Sequence, residues 1–374
     1  MDRTADQILV PHEEEAPVTD LTRPDPKLAT PSREIDPATL NLDEAFAPLL
    51  AIIEQAQARA YRAVNHEWVG MCWDVGEYIS GKARTDGWGK GVVKEFSAWI
   101  QHRVPGIKGF SPSNVWRMKQ LFETYSGNER LATLLRETTW SNNLVIMARV
   151  KTDEAREFYL LLATKYRYAF KELERQIDSL LYERTMISNE TNKEIIAVHP
   201  ELASMRDSYA LEFLGLPGQH RERDLRDAIV ANLRDFILEF GKDFAFVGQE
   251  YRLQVGTHDY FIDLLFQNRD LNCLVAIELK TGEFKPEYLG QLNFYLEALD
   301  RDVKKAHENP TAGLILCTGK DDTVVEYAMS RSLSPAMVAE YQLHLPAKDV
   351  LEAKLRELTD AAADLEAIEE EEEP

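Results

Sequence analysis

Two acids and a lysine lie where two successive strand patterns end. Asp263 ends the pattern Asp-Tyr-Phe-Ile-Asp, and 15 residues later a second apolar pattern ends in Glu278, Leu279 and Lys280. Because side chains alternate between the two faces of a strand, Glu278 and Lys280 point to one side and Leu279 to the other. Two carboxylates and an ammonium group at one polar edge predict a divalent-metal site beside a cation, an arrangement that can cleave a phosphodiester.

The apolar run before Glu278 favours this metal site over a simple salt bridge. Residues 274–277 are all apolar, and a charge buried in such a run costs free energy unless it is paired or bound to a metal. The alternative is a Glu278–Lys280 salt bridge on an exposed strand, which would contribute little. Three further features favour the metal site: Asp263 on the preceding strand, the polar turn 267–272, and Gln291 and Tyr295 on one face of the next helix.

The net charge of −21 is concentrated at the two ends of the chain. Residues 1–44 contribute −7 and residues 349–374 contribute −9, which leaves −5 for the body of the protein. Within that body, residues 82–119 hold eight bases and two acids. Phosphate binding needs a local basic patch rather than a basic protein, so the acidic composition does not exclude a nucleic-acid partner.

Composition also bounds the compartment. The chain has no apolar run of the ~20 residues that span a bilayer, and its N-terminus lacks a signal pattern. The three cysteines are widely spaced and fit neither a disulfide framework nor a zinc motif. We therefore expect a cytoplasmic protein that does not act at a membrane.

The chain is predicted to contain five segments. They are a disordered, proline-rich acidic leader (1–41), a helical domain (42–184), a polar linker (185–205), a domain of strands and helices (206–348) and an acidic tail (349–374). In the second domain the patterns predict helices near 223–240 and 286–299. They predict strands near 244–247, 251–255, 260–266, 273–281, 313–318 and 337–343.

Residues 88–119 are typical of a helix, a turn and a second helix. Ser111 and Ser113 offer helix caps, and Pro112 stands at a permitted first-turn position. The second helix could enter a DNA major groove with its amide donors near phosphates. The alternative is an ordinary helical bundle whose bases are solvated. The candidate DNA-binding residues of this region are Lys90, Lys108, Asn114, Arg117 and Lys119.

The acids, the lysine and the glutamine–tyrosine pair together resemble a known nuclease signature. Asp263 with Glu278-Leu279-Lys280 is similar to the core of the PD-(D/E)XK nuclease superfamily, and Gln291 with Tyr295 is similar to an element of its RecB-like branch. Longer segments resemble a bacterial family of two-part proteins, the YhcG-like PDDEXK nucleases, over roughly residues 45–348. In that family a helical N-terminal domain of DNA-binding type precedes the nuclease fold.

This resemblance implies an α+β protein, in which an all-helical, helix-turn-helix-like N-terminal domain is followed by an α/β restriction-endonuclease-like core. It implies that Asp263, Glu278 and the backbone carbonyl of Leu279 hold Mg²⁺ or Mn²⁺, because hard oxygen ligands suit these ions. Lys280 would orient the attacking water or stabilise developing charge. Gln291 and Tyr295 would support the site.

A further acid usually comes from the first helix of this fold. Arg226 stands where such an acid is expected, and the nearby sequence offers several weaker candidates. These additional acids are Asp224, Asp227, Glu239 and, on a following strand pattern, Glu250. Lys285, just after the motif, is a candidate phosphate contact.

The sequence therefore favours a Mg²⁺- or Mn²⁺-dependent DNA endonuclease, acting in defence against foreign DNA or in recombination. Two other functions stay open: a catalytically latent adaptor that binds DNA through a nuclease fold, and an RNA endonuclease, because the phosphodiester chemistry is shared. Self-association as a homodimer is also compatible with the sequence.

Overall fold

The computed structural model describes residues 42–199, 202, 205–330 and 334–356. The predicted leader and residues 357–374 of the predicted tail lie outside the described residues. The chain divides after Ala60 into two units. Apart from the first turns of the first helix, every contact below lies within the second unit.

The described part of the N-terminal half consists of helices, as the sequence predicts. These are α1 Leu42–Thr85, α2 Lys90–Arg103, α3 Pro112–Tyr125, α4 Glu129–Leu134, α5 Trp140–Arg149, α6 Asp153–Tyr166, α7 Phe170–Asp178, α8 Leu181–Thr191 and α9 Lys193–Val198. At the start of α3 the backbone N–H of Asn114 donates to the Ser111 hydroxyl at 3.3 Å, and Pro112 occupies the first turn. Ser111 is therefore the helix cap that the sequence indicates.

Most of the predicted linker is helical. Residues 185–198 continue through α8 and α9, and the described residues beyond them lead into the first strand. The reason lies in packing, because Leu181 and Ile187 are buried. The Ser188 hydroxyl also accepts the backbone N–H of Asp207 at 3.0 Å, which ties α8 to the start of the C-terminal domain.

The C-terminal half is built on a mixed six-stranded sheet. Its strands are β1 Ser208–Ala210, β2 Phe244–Val255, β3 His258–Asn268, β4 Cys273–Leu279, β5 Asn309–Cys317 and β6 Ala336–Gln342. Their order across the sheet is β1-β6-β5-β4-β3-β2. β2, β3 and β4 form an antiparallel meander, whereas β4, β5, β6 and β1 pair in parallel. β4 is thus the strand at which the two halves of the sheet meet.

Helices cover both faces of this sheet. α10 Glu222–Ala231 and α11 Leu233–Phe240 lie on one face, and α12 Pro286–Asp302 and α13 Asp322–Met329 lie on the other. Ile277 of β4 belongs to the core on the first face, and Ala276 belongs to the core on the second. Since β4 is buried on both faces, its sequence is a continuous apolar run rather than an alternating one.

Several predicted elements differ in detail. The single helix expected over 223–240 breaks at Asn232, which has φ −113° and ψ 33°. The two strands expected at 244–247 and 251–255 are one strand, β2, with an irregular register between Phe246 and Gly248. The acidic tail was expected to start at residue 349, but residues 348–356 form a helix.

Candidate active site

The register of β3 against β4 brings the two predicted metal-binding acids together. Leu264 pairs with Ile277, so Asp263 and Glu278 are the next residues on the two antiparallel strands. Cross-strand neighbours in this position have closely spaced side chains. The sequence pattern had indicated that Asp263 ends a strand. In the structure it lies in the middle of β3, because β3 continues to pair with β2 beyond this point.

Asp263 is held by one backbone donor and one arginine. Its Oδ2 accepts the backbone N–H of Leu279 at 3.0 Å, and its Oδ1 lies 3.3 Å from Nη1 of Arg226. Arg226 belongs to α10, the first helix of the nuclease-like domain, and its other terminal nitrogen lies 3.0 Å from Glu250 of β2. The structure therefore places an arginine where the fold was expected to supply an acid.

Glu278 and Lys280 point to the same side of β4, as predicted. Nζ of Lys280 lies 3.4 Å from Oε2 of Glu278 and 3.7 Å from a carboxylate oxygen of Glu222. It also lies 5.4 Å from the ring centroid of Tyr288, within cation–π range. Both side chains are largely buried, so this pair is not the exposed-strand salt bridge that was the alternative.

α12 supplies the polar support that the sequence predicts. Nε2 of Gln291 donates to the Tyr295 hydroxyl at 2.8 Å and to Oε2 of Glu278 at 3.4 Å. These two residues are one helical turn apart, so both reach the same side of α12. Gln291 and Tyr295 therefore fix the orientation of the Glu278 carboxylate.

Burial makes the ionised form of Glu278 unfavourable in the absence of a bound cation. Burial, together with the nearby charge of Asp263, raises the pKa of Glu278 to about 7, although Lys280 acts in the opposite direction. For Lys280, burial acts to lower the pKa, but the carboxylates of Glu278, Glu222 and Asp263 outweigh it and raise the pKa. Oε1 of Glu278 is buried and, among the described residues, has no hydrogen-bond partner. An unpaired buried carboxylate oxygen is a group that a cation would stabilise.

The donor set fits a hard divalent ion that keeps several waters. Asp263, Glu278 and the Leu279 carbonyl offer only oxygen atoms, which suit Mg²⁺ or Mn²⁺. Within the described residues, no group of three or more acidic, histidine or cysteine side chains is positioned to hold a metal ion. Water and substrate phosphate would therefore have to complete the coordination shell.

The additional acids proposed from the sequence occupy different environments. Asp224 caps α10 and pairs with Arg221 at 2.9 Å, and Asp227 lies 3.6 Å from Arg223 on the exposed side of the same helix. Glu250 contacts the site through Arg226.

Glu222, which the sequence analysis did not select, approaches Lys280 from the first turn of α10. Its position directly before the helix pattern could have suggested it.

Glu239 lies in an ion cluster that joins the two domains. Among the described residues, it does not contact Asp263 or Glu278. Its carboxylate is fully buried and lies 3.0 Å from Arg175, 2.6 Å from Arg184 and 3.8 Å from Arg206. Although burial alone would raise it, these three guanidinium groups hold the pKa of Glu239 at about 2. α7 and α8 supply Arg175 and Arg184, so the helical domain is bound tightly to the nuclease-like domain.

The candidate DNA-binding residues divide into two groups. The partly buried Asn114 has two partners within the protein, because its side chain donates to the Gly109 carbonyl at 2.5 Å and accepts from the Trp140 indole at 2.9 Å. Lys119 is paired with Glu123 at 2.6 Å. Both side chains thus already have partners within the protein, and a role for them in DNA binding stays a prediction.

Lys90, Lys108, Arg117 and Lys285 are exposed. Lys90 and Arg117 line a cavity of about 320 Å³ between the first turns of α2 and α3. Lys285 precedes the first turn of α12.

The strand order, the helices on both faces and the Asp…Glu-X-Lys cluster define a protein of the PD-(D/E)XK nuclease class. Residues 202–356 match the YhcG PDDEXK nuclease domain, and residues 49–184 match the DUF1016 N-terminal domain. The two matched domains follow one another in the order that the resemblance predicts. It is 29% identical over 338 residues to the "Putative nuclease YhcG" of Escherichia coli (strain K12), an alignment that covers 80% of this chain and 89% of the relative.

Solved structures show only partial likeness. A repair endonuclease from Pyrococcus abyssi is 16% identical, with a TM-score of 0.24, and the match covers 34% of this chain and 49% of that one. The structure titled EndoMS-dsDNA2 complex is 18% identical, with a TM-score of 0.24, over 36% of this chain and 47% of that one. The match thus spans about half the length of each of these two solved chains. At these scores, the fold assignment rests on the sheet and the family match.

Among the described residues, none of the helices combines the length and apolar character needed to cross a membrane.

Proposed function

We propose that this protein is a metal-dependent endonuclease that hydrolyses phosphodiester bonds in DNA. The observation that carries the proposal is the Asp263–Glu278–Lys280 cluster, in which one buried carboxylate oxygen of Glu278 has no hydrogen-bond partner among the described residues. A buried acid with a pKa near 7 next to a second acid fits a site that a divalent cation completes.

Each residue of the cluster has a defined part in this proposal. Asp263, Glu278 and the Leu279 carbonyl would hold the ion, either Mg²⁺ or Mn²⁺. When bound, such an ion lowers the pKa of a coordinated water and neutralises charge on the phosphate. Lys280 stays protonated, because the surrounding carboxylates raise its pKa, and it stabilises negative charge that develops on the phosphate. Gln291 and Tyr295 orient Glu278 through their hydrogen bonds.

DNA binding is proposed to involve the exposed bases of the α2–α3 region and Lys285. Lys90, Lys108 and Arg117 are exposed and form no ion pair within the described part of the chain, so their charges can contact DNA phosphates. The α2–turn–α3 arrangement supports a helix-turn-helix role for this region. The alternative of a bundle with solvated bases predicts no loss of DNA affinity when these charges are reversed.

A catalytically latent adaptor is the second candidate function, and Arg226 favours it. This arginine already neutralises Asp263. Glu222, the acid at the start of the same helix, lies next to Lys280, and among the described residues it does not contact Asp263. In this alternative the protein binds DNA through the same surface but does not cleave it.

A single substrate panel separates these functions. The purified protein is incubated with supercoiled, linear, branched and single-stranded DNA and with a structured RNA, each in Mg²⁺, Mn²⁺ or EDTA. Metal-dependent cleavage of at least one DNA is expected. Binding without cleavage of any substrate would support the adaptor, and cleavage confined to RNA would replace the DNA assignment.

We place this activity in the cytoplasm, in defence against foreign DNA or in recombination. Burial raises the pKa of Cys72 to about 12 and that of Cys317 to about 11, so both thiols stay protonated and unreactive. Inert buried thiols suit a reducing compartment.

We also infer self-association through the first turns of α1. Five large apolar side chains there, from Phe46 to Ile53, are each more than half exposed: Phe46, Leu49, Leu50, Ile52 and Ile53. At about 100 Å² each, two copies would bury roughly 1,000 Å² of apolar surface, which reaches the lower limit for a specific interface.

Light scattering on the full chain tests this inference. We expect a dimer, and Leu49→Glu with Ile53→Glu should yield monomers. A monomeric full chain that dimerises only after deletion of residues 1–41 would mean that the leader covers this surface.

A further inference from the structure

The guanidinium of Arg226 bridges two carboxylates at the candidate site. Nη1 lies 3.3 Å from Oδ1 of Asp263, and Nη2 lies 3.0 Å from Oε1 of Glu250. The side chain of Arg226 is 11% exposed and that of Asp263 is 17% exposed, whereas that of Glu250 is 59% exposed. Arg226 therefore reaches from the enclosed acid of the site to an acid at the surface.

β2 is distorted at Glu250, directly across from Asp263. Gln249 pairs with Leu264 and Tyr251 pairs with Ile262, so the register places Glu250 opposite Asp263. Glu250 has φ 43°, in the left-handed region that residues other than glycine rarely adopt. Such backbone strain persists only where the surrounding structure imposes it, and it concentrates at functional sites.

Arg226 and a divalent ion would compete for Asp263. Both oxygens of Asp263 already have partners, since Oδ2 accepts the Leu279 N–H and Oδ1 meets Arg226. A divalent ion bound to Asp263 would lie within a few ångströms of the guanidinium. At such a short distance the two positive charges, the ion and the guanidinium, repel each other strongly in a poorly hydrated site.

We propose that Arg226 is exchanged between two partners: it neutralises Asp263 in the metal-free protein, and it turns to the substrate phosphate when a divalent ion takes Asp263. This inference rests on the proposed nuclease function. A planar guanidinium is suited to phosphate, because its parallel donors match two phosphate oxygens.

Arg226 also has a donor to spare for this second role. Its Nε is buried and has no hydrogen-bond partner among the described residues, lying 3.9 Å from Asp227. Glu250, on the exposed side, holds the guanidinium at the rim of the site during the exchange. The bridge thus keeps Arg226 close to where a bound phosphodiester would lie.

Direct metal binding tests the first half of the exchange. The Kd for Mn²⁺ is measured without DNA, by electron paramagnetic resonance of the free ion, for the wild-type protein and Arg226→Gln. Removing the competing charge should tighten Mn²⁺ binding by about tenfold or more. Arg223→Gln is the matched control, because Arg223 lies on the same helix, is 76% exposed and contacts Asp227 at 3.6 Å but not Asp263. Its Kd should stay within about twofold of the wild-type value.

DNA binding tests the second half. Fluorescence anisotropy with a short duplex, in Ca²⁺ to suppress cleavage, should show that Arg226→Gln binds about tenfold more weakly than Arg223→Gln, although its metal binds more tightly. Arg226→Lys keeps the charge but not the fork of donors, so its Mn²⁺ affinity should stay near the wild-type value while its DNA affinity falls. If Arg226→Gln does not fold, the neutral variant Arg226→Met replaces it in the Mn²⁺ measurement, and Arg226→Lys still tests the phosphate role.

Three results would overturn the exchange. Weaker or unchanged Mn²⁺ binding by Arg226→Gln would mean that Arg226 only positions Asp263. Unchanged DNA affinity in both Arg226 variants would remove the phosphate role. If neither the wild-type protein nor Arg226→Gln binds Mn²⁺, the metal site itself fails, and the proposed function fails with it.

Discussion

Glu278→Gln should stabilise the metal-free protein at alkaline pH. The pKa of Glu278 is raised from 4.5 to about 7, and its carboxylate is buried. The folded-state pKa of Glu278 lies above the unfolded-state value. The contribution of Glu278 to the free energy of unfolding is therefore fully present below pH 4.5 and is lost as pH rises through about 7. At about 1.4 kcal/mol per pKa unit, ionised Glu278 costs roughly 3 kcal/mol at pH 8. The neutral amide of glutamine avoids that cost while keeping the shape.

Urea unfolding in EDTA at pH 4.5, 6 and 8 measures this effect. The free energy of unfolding of the variant should match the wild-type value at pH 4.5 and exceed it by up to roughly 3 kcal/mol at pH 8. Mg²⁺ at about 1,000 times its Kd should then reverse the order, because it adds about 4.1 kcal/mol to the wild-type protein alone. Glu287→Gln, at an exposed position on α12, is the control and should show no pH-dependent difference. A variant that is less stable than the wild type at pH 8 in EDTA would refute the reasoning, since it would mean that Lys280 fully compensates the buried charge.

Three other changes have defined outcomes. Arg184→Ala should lower the free energy of unfolding by about 3–5 kcal/mol, because it removes the 2.6 Å partner of the fully buried Glu239; chemical denaturation measures this. Lys90→Glu, Lys108→Glu and Arg117→Glu together should weaken DNA binding at least about tenfold in a gel shift at low salt, with a shallower salt dependence, because fewer counterions are released. Deletion of residues 357–374 should strengthen DNA binding modestly at low salt, because it removes acidic repulsion that is screened beyond about 10 Å at 0.1 M salt.

Matched variants accompany these changes. Arg234→Ala removes a 78% exposed arginine that pairs with Glu172 across the same domain boundary, and it should cost less than about 1 kcal/mol. Arg130→Glu, Arg252→Glu and Arg301→Glu reverse three exposed charges outside the α2–α3 region, and DNA affinity should change little. Equal loss of affinity in both triple variants would indicate that overall charge, not the α2–α3 surface, governs binding. Weaker binding after tail deletion would make the tail part of the DNA-binding surface.

Much of the core could be predicted from the sequence because its signals are local. The apolar run of β4, the hairpin before it and the helix after it follow from short-range patterns, and they bring Asp263, Glu278 and Gln291 together. The cap at Ser111 is equally local.

Features that depend on long-range pairing could not be predicted in this way. β1 is three residues long and exists because it pairs with β6, more than 100 residues later. Glu239 looked like a surface or metal-binding acid, and only the folded chain brings Arg175 and Arg184 to it. The role of Arg226 depends in the same way on the pairing of β2 with β3, which places Glu250 opposite Asp263.

Nicking of supercoiled plasmid DNA by the wild-type protein and by Glu278→Gln, in Mg²⁺ and in EDTA, tests the central claim most directly. The wild-type protein should cleave in Mg²⁺ and not in EDTA. Glu278→Gln, shown to be folded by circular dichroism, should cleave at least about 100-fold more slowly in Mg²⁺, since it loses a charged metal ligand. A wild-type rate in Glu278→Gln, or cleavage in EDTA, would contradict a metal-dependent active site at Asp263 and Glu278.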